Sequence, residues 1–209
     1  MSEYEASGDM TEVSAEKIES DLPTYYLPQH VVLKPDSTTT KIRVVFDGSS
    51  KTSSVLSLNE VQHVGPTVQG DPISIVLRFR KHKIVLSADV AKMYRCIYVD
   101  EEQRRLQRIL WRTDNSEPLQ IYELNTVTYG MAAASYLVTR CLRQLGEENK
   151  EEHSTASKVI ISDFYVEDLL TGADSLDEAR ALKDELTSIL EPAGLSLRKW
   201  VSNDERVFN

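Results

Sequence analysis

Three acidic residues stand where apolar residues dominate. Asp89 lies within IVLSADVAKMY, and Glu167 and Asp168 lie within VIISDFYVEDLLTG. A buried carboxylate is costly and neighbouring carboxylates repel one another, so a positive group is expected beside them. No Lys or Arg lies in the second segment near the turn, which favours a divalent cation, and hard oxygen ligands suit Mg²⁺. Two such ions about 3.5–4 Å apart would form a clamp for phosphoryl transfer.

Each acid also has an ordinary interpretation. Asp89 could cap the turn that follows it, and acids are common in hairpin turns. The metal hypothesis therefore depends on a fold that brings the two segments together in a partly buried place.

The segments that carry the acids are predicted to be strands. Residues 83–90 (KIVLSADV) form a short apolar run that is rich in β-branched residues. Residues 157–165 (SKVIISDFY) are predicted to be a second strand, which a tight Val166-Glu167 turn joins to DLLTG. The last strand is expected at 195–201 (LSLRKWV).

Helix signals separate these strands. Apolar periodicity predicts a helix from Met131 to Leu145 that ends at Gly146. Ser175 and Glu178 form a capping box, which predicts a helix over residues 176–190.

The resulting order from residue 83 onward, without an inserted hairpin, is β-α-β-β-α-β. This is the split βαβ or ferredoxin-like arrangement, an antiparallel sheet with two helices on one face. It places the end of the first strand beside the turn between the two middle strands. We therefore expect an α+β fold in which the Cα atoms of Asp89 and Asp168 lie within about 10 Å of each other.

Other elements are predicted upstream of residue 83 and inside the insertion. The first 24 residues are predicted to form a loose acidic arm with a short helix near 14–20. Strand, helix and turn signals predict a hairpin of 30–34 with 41–47, a helix from Asp71-Pro72 to about Lys81, a short helix over 100–105, and a hairpin of 106–112 with 120–127.

Composition is typical of a globular protein. The 209 residues are 41% hydrophobic and 27% charged. No apolar run approaches the roughly 20 residues of a membrane span, so no membrane partner is expected. Cys96 and Cys141 are too few for a disulfide framework and are interpreted as buried thiols in a reducing compartment.

The net charge of −9 conceals a gradient. Residues 1–30 carry seven acids and one base, whereas residues 31–112 carry fourteen bases and eight acids. Such a basic stretch can face phosphates, but charge alone favours a solvated face with mixed partners. Its two densest clusters are Arg78, Arg80, Lys81 and Lys83, and Arg104, Arg105, Arg108 and Arg112.

Six separated motifs carry a resemblance to a known family. They are YYLPQHVVLKPDSTTTKIRVVFDGSSKTSS, LNEVQHVGP, LSADVAKMYRCI, LNTVTYGMAAASY, DFYVEDLLTGADS and LRKWVSN. In this order they resemble the reverse transcriptase of BEL/Pao-type LTR retrotransposons, over about residues 20–203. The resemblance implies a polymerase palm at 83–203 with a fingers hairpin inserted at about 100–128, a partial fingers subdomain at 25–82, the arm at 1–24 and a tail at 204–209.

The resemblance assigns roles to single residues. Asp89, Glu167 and Asp168 match the catalytic carboxylates, and the carbonyl of Val90 matches a further ligand of two Mg²⁺ ions, for which Mn²⁺ can substitute. Lys199 matches the palm lysine proposed to protonate pyrophosphate, although a surface lysine on an edge strand is a comparable alternative.

Four further residues match nucleotide-binding positions. Tyr94 matches the steric gate against the ribose 2′-hydroxyl, with a packed core aromatic as the alternative. Lys41 and Arg43 match the strand that holds the triphosphate, with a surface ladder of charge as the alternative. Gly130 matches the glycine that lets nucleotide and template approach the backbone.

The chain departs from the family pattern at several places. The family has Tyr-x-Asp-Asp where this chain has Tyr165-Val166-Glu167-Asp168, so Glu167 replaces the more important aspartate of the pair. Ser135 and Tyr136 stand where the family often has proline and phenylalanine. A short fingers segment and the expected absence of a thumb and RNase H imply a polyprotein fragment or a decayed copy.

These features lead to three functional hypotheses. The first is an RNA-directed DNA polymerase, impaired by Glu167, that uses dNTP and an RNA or DNA template-primer duplex in a cytoplasmic retrotransposon particle or in the nucleus. The second is a non-catalytic nucleic-acid-binding relic. The third is a translated remnant with no molecular function.

Overall fold

A computed structural model describes residues 1–19, 21–35 and 42–209 of the chain. Within these ranges the strands are β1 (Met10–Glu12), β2 (Gln29–Leu33), β3 (Ile42–Phe46), β4 (Ile84–Val90), β5 (Arg108–Trp111), β6 (Gln120–Leu124), β7 (Phe164–Tyr165), β8 (Asp168–Ala173) and β9 (Leu197–Ser202). The helices are α1 (Ser2–Ala6), α2 (Ala15–Ile18), α3 (Leu58–Val61), α4 (Pro72–Phe79), α5 (Ala134–Glu148), α6 (Ser154–Ser162) and α7 (Leu176–Leu190). Short 3₁₀ turns occupy Met93–Cys96, Arg104–Gln107 and Glu205–Phe208.

The chain divides into two compact units. The first comprises residues 1–65 and 97–134, and the second comprises residues 66–96 and 135–209. The bounds of the segment 97–134 are similar to those of the insertion expected at about 100–128. The helix α4, which the sequence places with the fingers residues 25–82, belongs to the second unit and packs against β8.

The described residues of the first unit form two antiparallel sheets. One has the strand order β1-β6-β5, and the other is the hairpin of β2 with β3. Burial of apolar side chains forms its core, because removing this surface from water is the main stabilising term. The core residues are Met10, Tyr25, Leu27, Phe46, Leu58, Ile109, Tyr122 and Leu124.

The acidic N-terminal segment differs from the expected loose arm. Met10 is buried and pairs across β1 and β6 with Leu124, and Val13 is buried as well. The short helix expected near 14–20 is α2. The buried side chains of Met10 and Val13 therefore anchor this segment, although its acidic composition predicted that it would be exposed to solvent.

The second unit contains one antiparallel sheet of strand order β7-β8-β4-β9. Burial alternates along β4, since Ile84, Leu86, Ala88 and Val90 are buried and the residues between them are partly exposed. This alternation is the period of two that a strand with one covered face requires. The buried face packs with Ala179 of α7.

Most predicted elements are confirmed, with ends that differ by a few residues. The Asp71 carboxylate accepts the Ser74 N–H at 3.1 Å and caps α4. The capping box of Ser175 and Glu178 begins α7, which spans the predicted residues 176–190. The strands and hairpins predicted at 30–34 with 41–47, 83–90, 106–112 with 120–127, and 195–201 also form.

The prediction of a strand over residues 157–165 is wrong. Most of this segment belongs to α6, and only Phe164 and Tyr165 form a strand. A short β-branched run fits a buried helix as well as a strand. Ala156, Val159 and Ile160 are the buried apolar residues of α6, and their spacing is that of one helix face.

The predicted end of a helix at Gly146 is also wrong, because α5 continues to Glu148. A Cβ atom at Gly146 would lie 2.8 Å from Cγ1 of Ile161, so this glycine permits close approach of α6 rather than a stop. The Ser157 hydroxyl donates to the Gly146 carbonyl at the same contact. The helix expected over 100–105 is a 3₁₀ turn displaced to Arg104–Gln107.

The fold is therefore mixed α+β with antiparallel sheets, as the sequence predicts at that level. Among the described residues, no helix has the length and apolar character needed to cross a membrane.

Candidate active site

Asp89 and Asp168 lie opposite each other on neighbouring strands. They are Cα partners in the antiparallel pairing of β4 with β8. Directly opposed residues project from the same face, with Cα atoms about 4.5–5.5 Å apart, which meets the expected limit of about 10 Å. Asp89 is partly exposed and Asp168 is exposed.

A two-residue turn, Val166-Glu167, joins β7 to β8. Tyr165 pairs with Asp168 on either side of it. Val166 has φ +53°, whereas Glu167 is not in the left-handed region, a combination typical of a type II′ turn. The turn is also tied to β4, because the Val90 N–H donates to the Glu167 carbonyl at 2.9 Å.

Lys199 reaches the first of these acids from β9. Its Nζ lies 2.9 Å from Oδ2 of Asp89. The register between β4 and β9 shifts between Ser87 and Asp89, which leaves an extra residue in β9, and Lys199 has φ +52° there. A β-bulge of this kind redirects a side chain, and here it accompanies the placement of an ammonium group on the Asp89 carboxylate.

This ion pair corrects one step of the sequence reasoning. The segment around Glu167 holds no cation near the turn, but β9 supplies one from elsewhere in the chain. Within residues 1–19, 21–35 and 42–209, no group of three His, Cys, Asp or Glu side chains is arranged to hold a metal ion. Repulsion among the acids therefore does not by itself require a metal.

One observation nevertheless fits a cation. The Oδ1 atom of Asp89 is buried and has no hydrogen-bond partner among the described residues. A buried carboxylate oxygen without a partner is unfavourable, and oxygen is the ligand that Mg²⁺ prefers. Asp89 with Asp168 beside it is thus chemically suited to a hard divalent cation, with the Val90 carbonyl and Glu167 as the remaining candidate ligands.

Tyr94 is buried in the 3₁₀ turn Met93–Cys96, and its hydroxyl lies 3.2 Å from the Ser135 hydroxyl. Burial is what the packed-aromatic alternative predicts for this residue.

Among the other proposed nucleotide-binding residues, Arg43 and Gly130 belong to the first unit. Arg43 is exposed on β3, opposite Val32. Lys41 lies outside the described residues. Gly130 has φ +92°, and a Cβ atom there would lie 2.1 Å from the Phe46 carbonyl oxygen. Glycine is therefore required at this position by the fold of the first unit alone.

Asn59 is a residue whose role sequence reasoning missed. Its side chain donates to the Gly130 carbonyl at 2.9 Å and accepts the Ala132 N–H at 2.7 Å. It thereby fastens the loop that carries Gly130 to α3. The motif LNEVQHVGP, which contains Asn59, could have drawn attention to this residue. Its partner Gly130 lies 71 residues away along the chain, however, so the sequence around Asn59 does not reveal the contact.

Several side chains of the two basic clusters form hydrogen bonds or ion pairs within the protein. Arg108 is buried and bonded to the Glu123 carboxylate at 2.9 Å. Arg104 donates to the Val99 carbonyl, and Arg78 donates to Asp163. These three side chains stabilise the fold, which reduces the positive surface that the sequence suggested for phosphate contacts.

No protein-family model matches the chain, and no curated protein matches it.

Proposed function

We propose that the chain is the fingers and palm part of an RNA-directed DNA polymerase of the BEL/Pao retrotransposon type. The observation that carries the proposal is the register of Asp89 against Asp168. Polymerase chemistry requires two carboxylates that reach the same cations, and the placement of the two aspartates directly opposite each other on neighbouring strands supports this geometry.

The strand order supports a palm. The second unit has four strands, which follow one another along the chain as β4, β7, β8 and β9. In the sheet they lie in the order β9-β4-β8-β7, so the first strand of the unit lies between the fourth and the third. Helices α5 and α6 precede the second strand, and α7 lies between the third and the fourth. This is the connectivity of the split βαβ arrangement with an additional helix.

In this proposal the acids hold Mg²⁺ or Mn²⁺, and the other residues bind the nucleotide and the duplex. The acids would hold the cations, which would supply activation of the primer 3′-hydroxyl and stabilisation of the charge on the departing pyrophosphate. Asp89 contributes its unpartnered Oδ1 atom, and Lys199 must release Oδ2 before that atom can act as a ligand. The exposed Arg43 is available to a triphosphate, which guanidinium groups bind well.

A non-catalytic relic is the second candidate, and the Asp89–Lys199 pair favours it. An ammonium group at 2.9 Å already neutralises the central carboxylate, and Glu167 adds a methylene where the family has aspartate. Such a chain would keep the fold and bind a primer-template duplex without extending it. Its binding would weaken steeply with salt, because phosphate contacts release counterions.

Primer extension and cation binding together test the proposal. The full chain is given an RNA template, a DNA primer, dNTP and Mn²⁺, and Mn²⁺ affinity is measured in parallel by calorimetry. Asp89→Asn and Asp168→Asn should abolish extension and weaken Mn²⁺ binding, whereas the matched control Asp177→Asn, at an exposed position of α7, should change neither. Salt-sensitive duplex binding without extension by the native chain or by Glu167→Asp would favour the relic.

A further inference from the structure

The turn between β7 and β8 is held by a side chain from outside the hairpin. Oε1 of Gln69 accepts the N–H of Val166 at 2.7 Å. Gln69 precedes the Asp71 cap of α4, lies in the same compact unit as the hairpin, and is half-buried.

The conformation of this turn needs such support. Val166 is β-branched, yet it adopts φ +53°, a left-handed conformation that branched residues rarely adopt. Backbone strain of this kind persists only where surrounding contacts maintain it. The hairpin itself is short, because β7 comprises only Phe164 and Tyr165 at the edge of the sheet and one further backbone hydrogen bond, from the Leu170 N–H to the Asp163 carbonyl at 3.0 Å, extends its pairing with β8.

The same segment also holds the base of the hairpin. Nε of Arg78 donates to Oδ1 of Asp163 at 3.1 Å, and the Thr171 hydroxyl donates to Oδ2 of the same carboxylate at 2.9 Å. The segment is fixed in turn from α5, where Arg143 donates to the Val68 carbonyl at 3.3 Å. Residues 68–78 therefore hold the hairpin at its tip and at its base.

We propose that Gln69 is a positioning residue for the carboxylates of the candidate site. The ladder of β4 with β8 sets the register of Asp168 opposite Asp89; by holding Val166 in the left-handed conformation, Gln69 fixes the backbone of the turn from which Glu167 and Asp168 project. Gln69 acts through the turn and need not touch cation or nucleotide. Its catalytic relevance rests on the proposed polymerase function, but the hydrogen bond and its effect on the turn do not.

Hydrogen exchange of the Val166 amide tests the hydrogen bond directly. Gln69→Met removes the acceptor while keeping the side-chain length, and Gln69→Glu retains an acceptor oxygen. The exchange rate should rise roughly three- to tenfold in Gln69→Met, the loss expected for one hydrogen bond, and stay near the native rate in Gln69→Glu. The control Gln103→Met, at an exposed position in the first unit, should leave it unchanged.

A double-mutant cycle with Val166→Gly tests the mechanism. Glycine adopts positive φ without strain, so a turn with glycine depends less on Gln69. Gln69→Met should weaken Mn²⁺ binding and lower kcat more than it raises KM for dNTP, and both losses should shrink in the Val166→Gly background. Equal losses in the two backgrounds would show that Gln69 does not act through the turn, and would overturn the inference.

The two readouts separate this inference from the proposed function. Unchanged exchange at Val166 in Gln69→Met overturns the positioning role, whatever the activity. Faster exchange in that variant, with no Mn²⁺ binding and no extension by the native chain, instead overturns the polymerase proposal and the catalytic relevance of Gln69 with it.

Discussion

Lys199 and Asp89 form an ion pair across β9 and β4, with Nζ 2.9 Å from Oδ2. The other carboxylate oxygen of Asp89 is buried without a hydrogen-bond partner among the described residues. The ammonium group thus neutralises the acid that is central to the candidate site and competes with any cation for it. This competition can be measured without polymerase activity.

Lys199→Met should raise the affinity of the protein for Mn²⁺, by roughly three- to tenfold, because it removes a competing charge from Asp89. The stability of the cation-free protein should fall by no more than about 1 kcal/mol, because Lys199 is 65% exposed and solvent screens the pair. Calorimetric titration measures the affinity, and thermal unfolding with and without Mn²⁺ measures the stability. Lys150→Met, at an exposed position, is the control, and unchanged or weaker Mn²⁺ binding in Lys199→Met would argue against competition.

Under the proposed polymerase function, Glu167→Asp should increase primer extension. The substitution shortens the side chain by roughly 1.5 Å and gives it the length found in the motif of the family that the sequence resembles. Since a displacement of about 1 Å can cost on the order of 10²-fold in rate, we expect a gain between tenfold and a hundredfold in single-turnover extension. Glu152→Asp, at an exposed position between α5 and α6, controls for the general effect of the replacement. Equal extension by native chain and variant would mean that side-chain length at position 167 is not limiting.

Gly130→Ala should destabilise the first unit by about 2–3 kcal/mol. The new Cβ atom would lie 2.1 Å from the Phe46 carbonyl oxygen, and the residue would have to keep φ +92°. Urea unfolding followed by fluorescence measures the change. Gly70→Ala is the matched control, because nothing lies within 4 Å of its Cβ position and its φ is not positive, so its effect should stay within about 0.5 kcal/mol. Equal effects of the two substitutions would contradict the close contact at Gly130.

The thiol of Cys141 should react slowly with alkylating reagents in the folded protein. Burial raises the pKa of this thiol above its ordinary value of 9.0, and Arg140 offsets the rise only in part. In the Cys96→Ala protein, the pH profile of alkylation should therefore lie at higher pH in the folded chain than in urea. Because the folded pKa is the higher one, the contribution of this thiol to stability is complete below pH 9.0 and is lost as the pH rises through the folded value. Coincident profiles in buffer and urea would contradict the effect of burial.

Local signals in the sequence were sufficient for much of the fold. The capping residues Asp71 and Ser175 begin α4 and α7 at the expected places. The strand that carries Asp89 also forms where it was expected. In each case the signal lies within a few residues of the element, as a cap or as the periodicity of apolar side chains.

The wrong secondary-structure predictions concern segments whose local sequence fits a helix and a strand equally well, so that tertiary packing decides which of them forms. The segment 157–162 is helical because α6 packs against α5 at Gly146 and against α7. Gly146, which looked like a helix stop, is the position at which that close approach is possible. Propensity is a weak preference, and the burial of one helix face outweighs it.

The sequence by itself determined that Asp89 and the Glu167-Asp168 pair occupy apolar segments, and the tight turn placed the pair at a strand end. Only the tertiary structure decided which charges meet there. It brings Lys199 to Asp89 over 110 residues of chain, and it brings Gln69 to the Val166 amide over 97. Such contacts follow from strand register, a bulge and the packing of α4. These features depend on the packing of the whole unit and cannot be recognised from the residues adjacent in sequence to Asp89 or Val166.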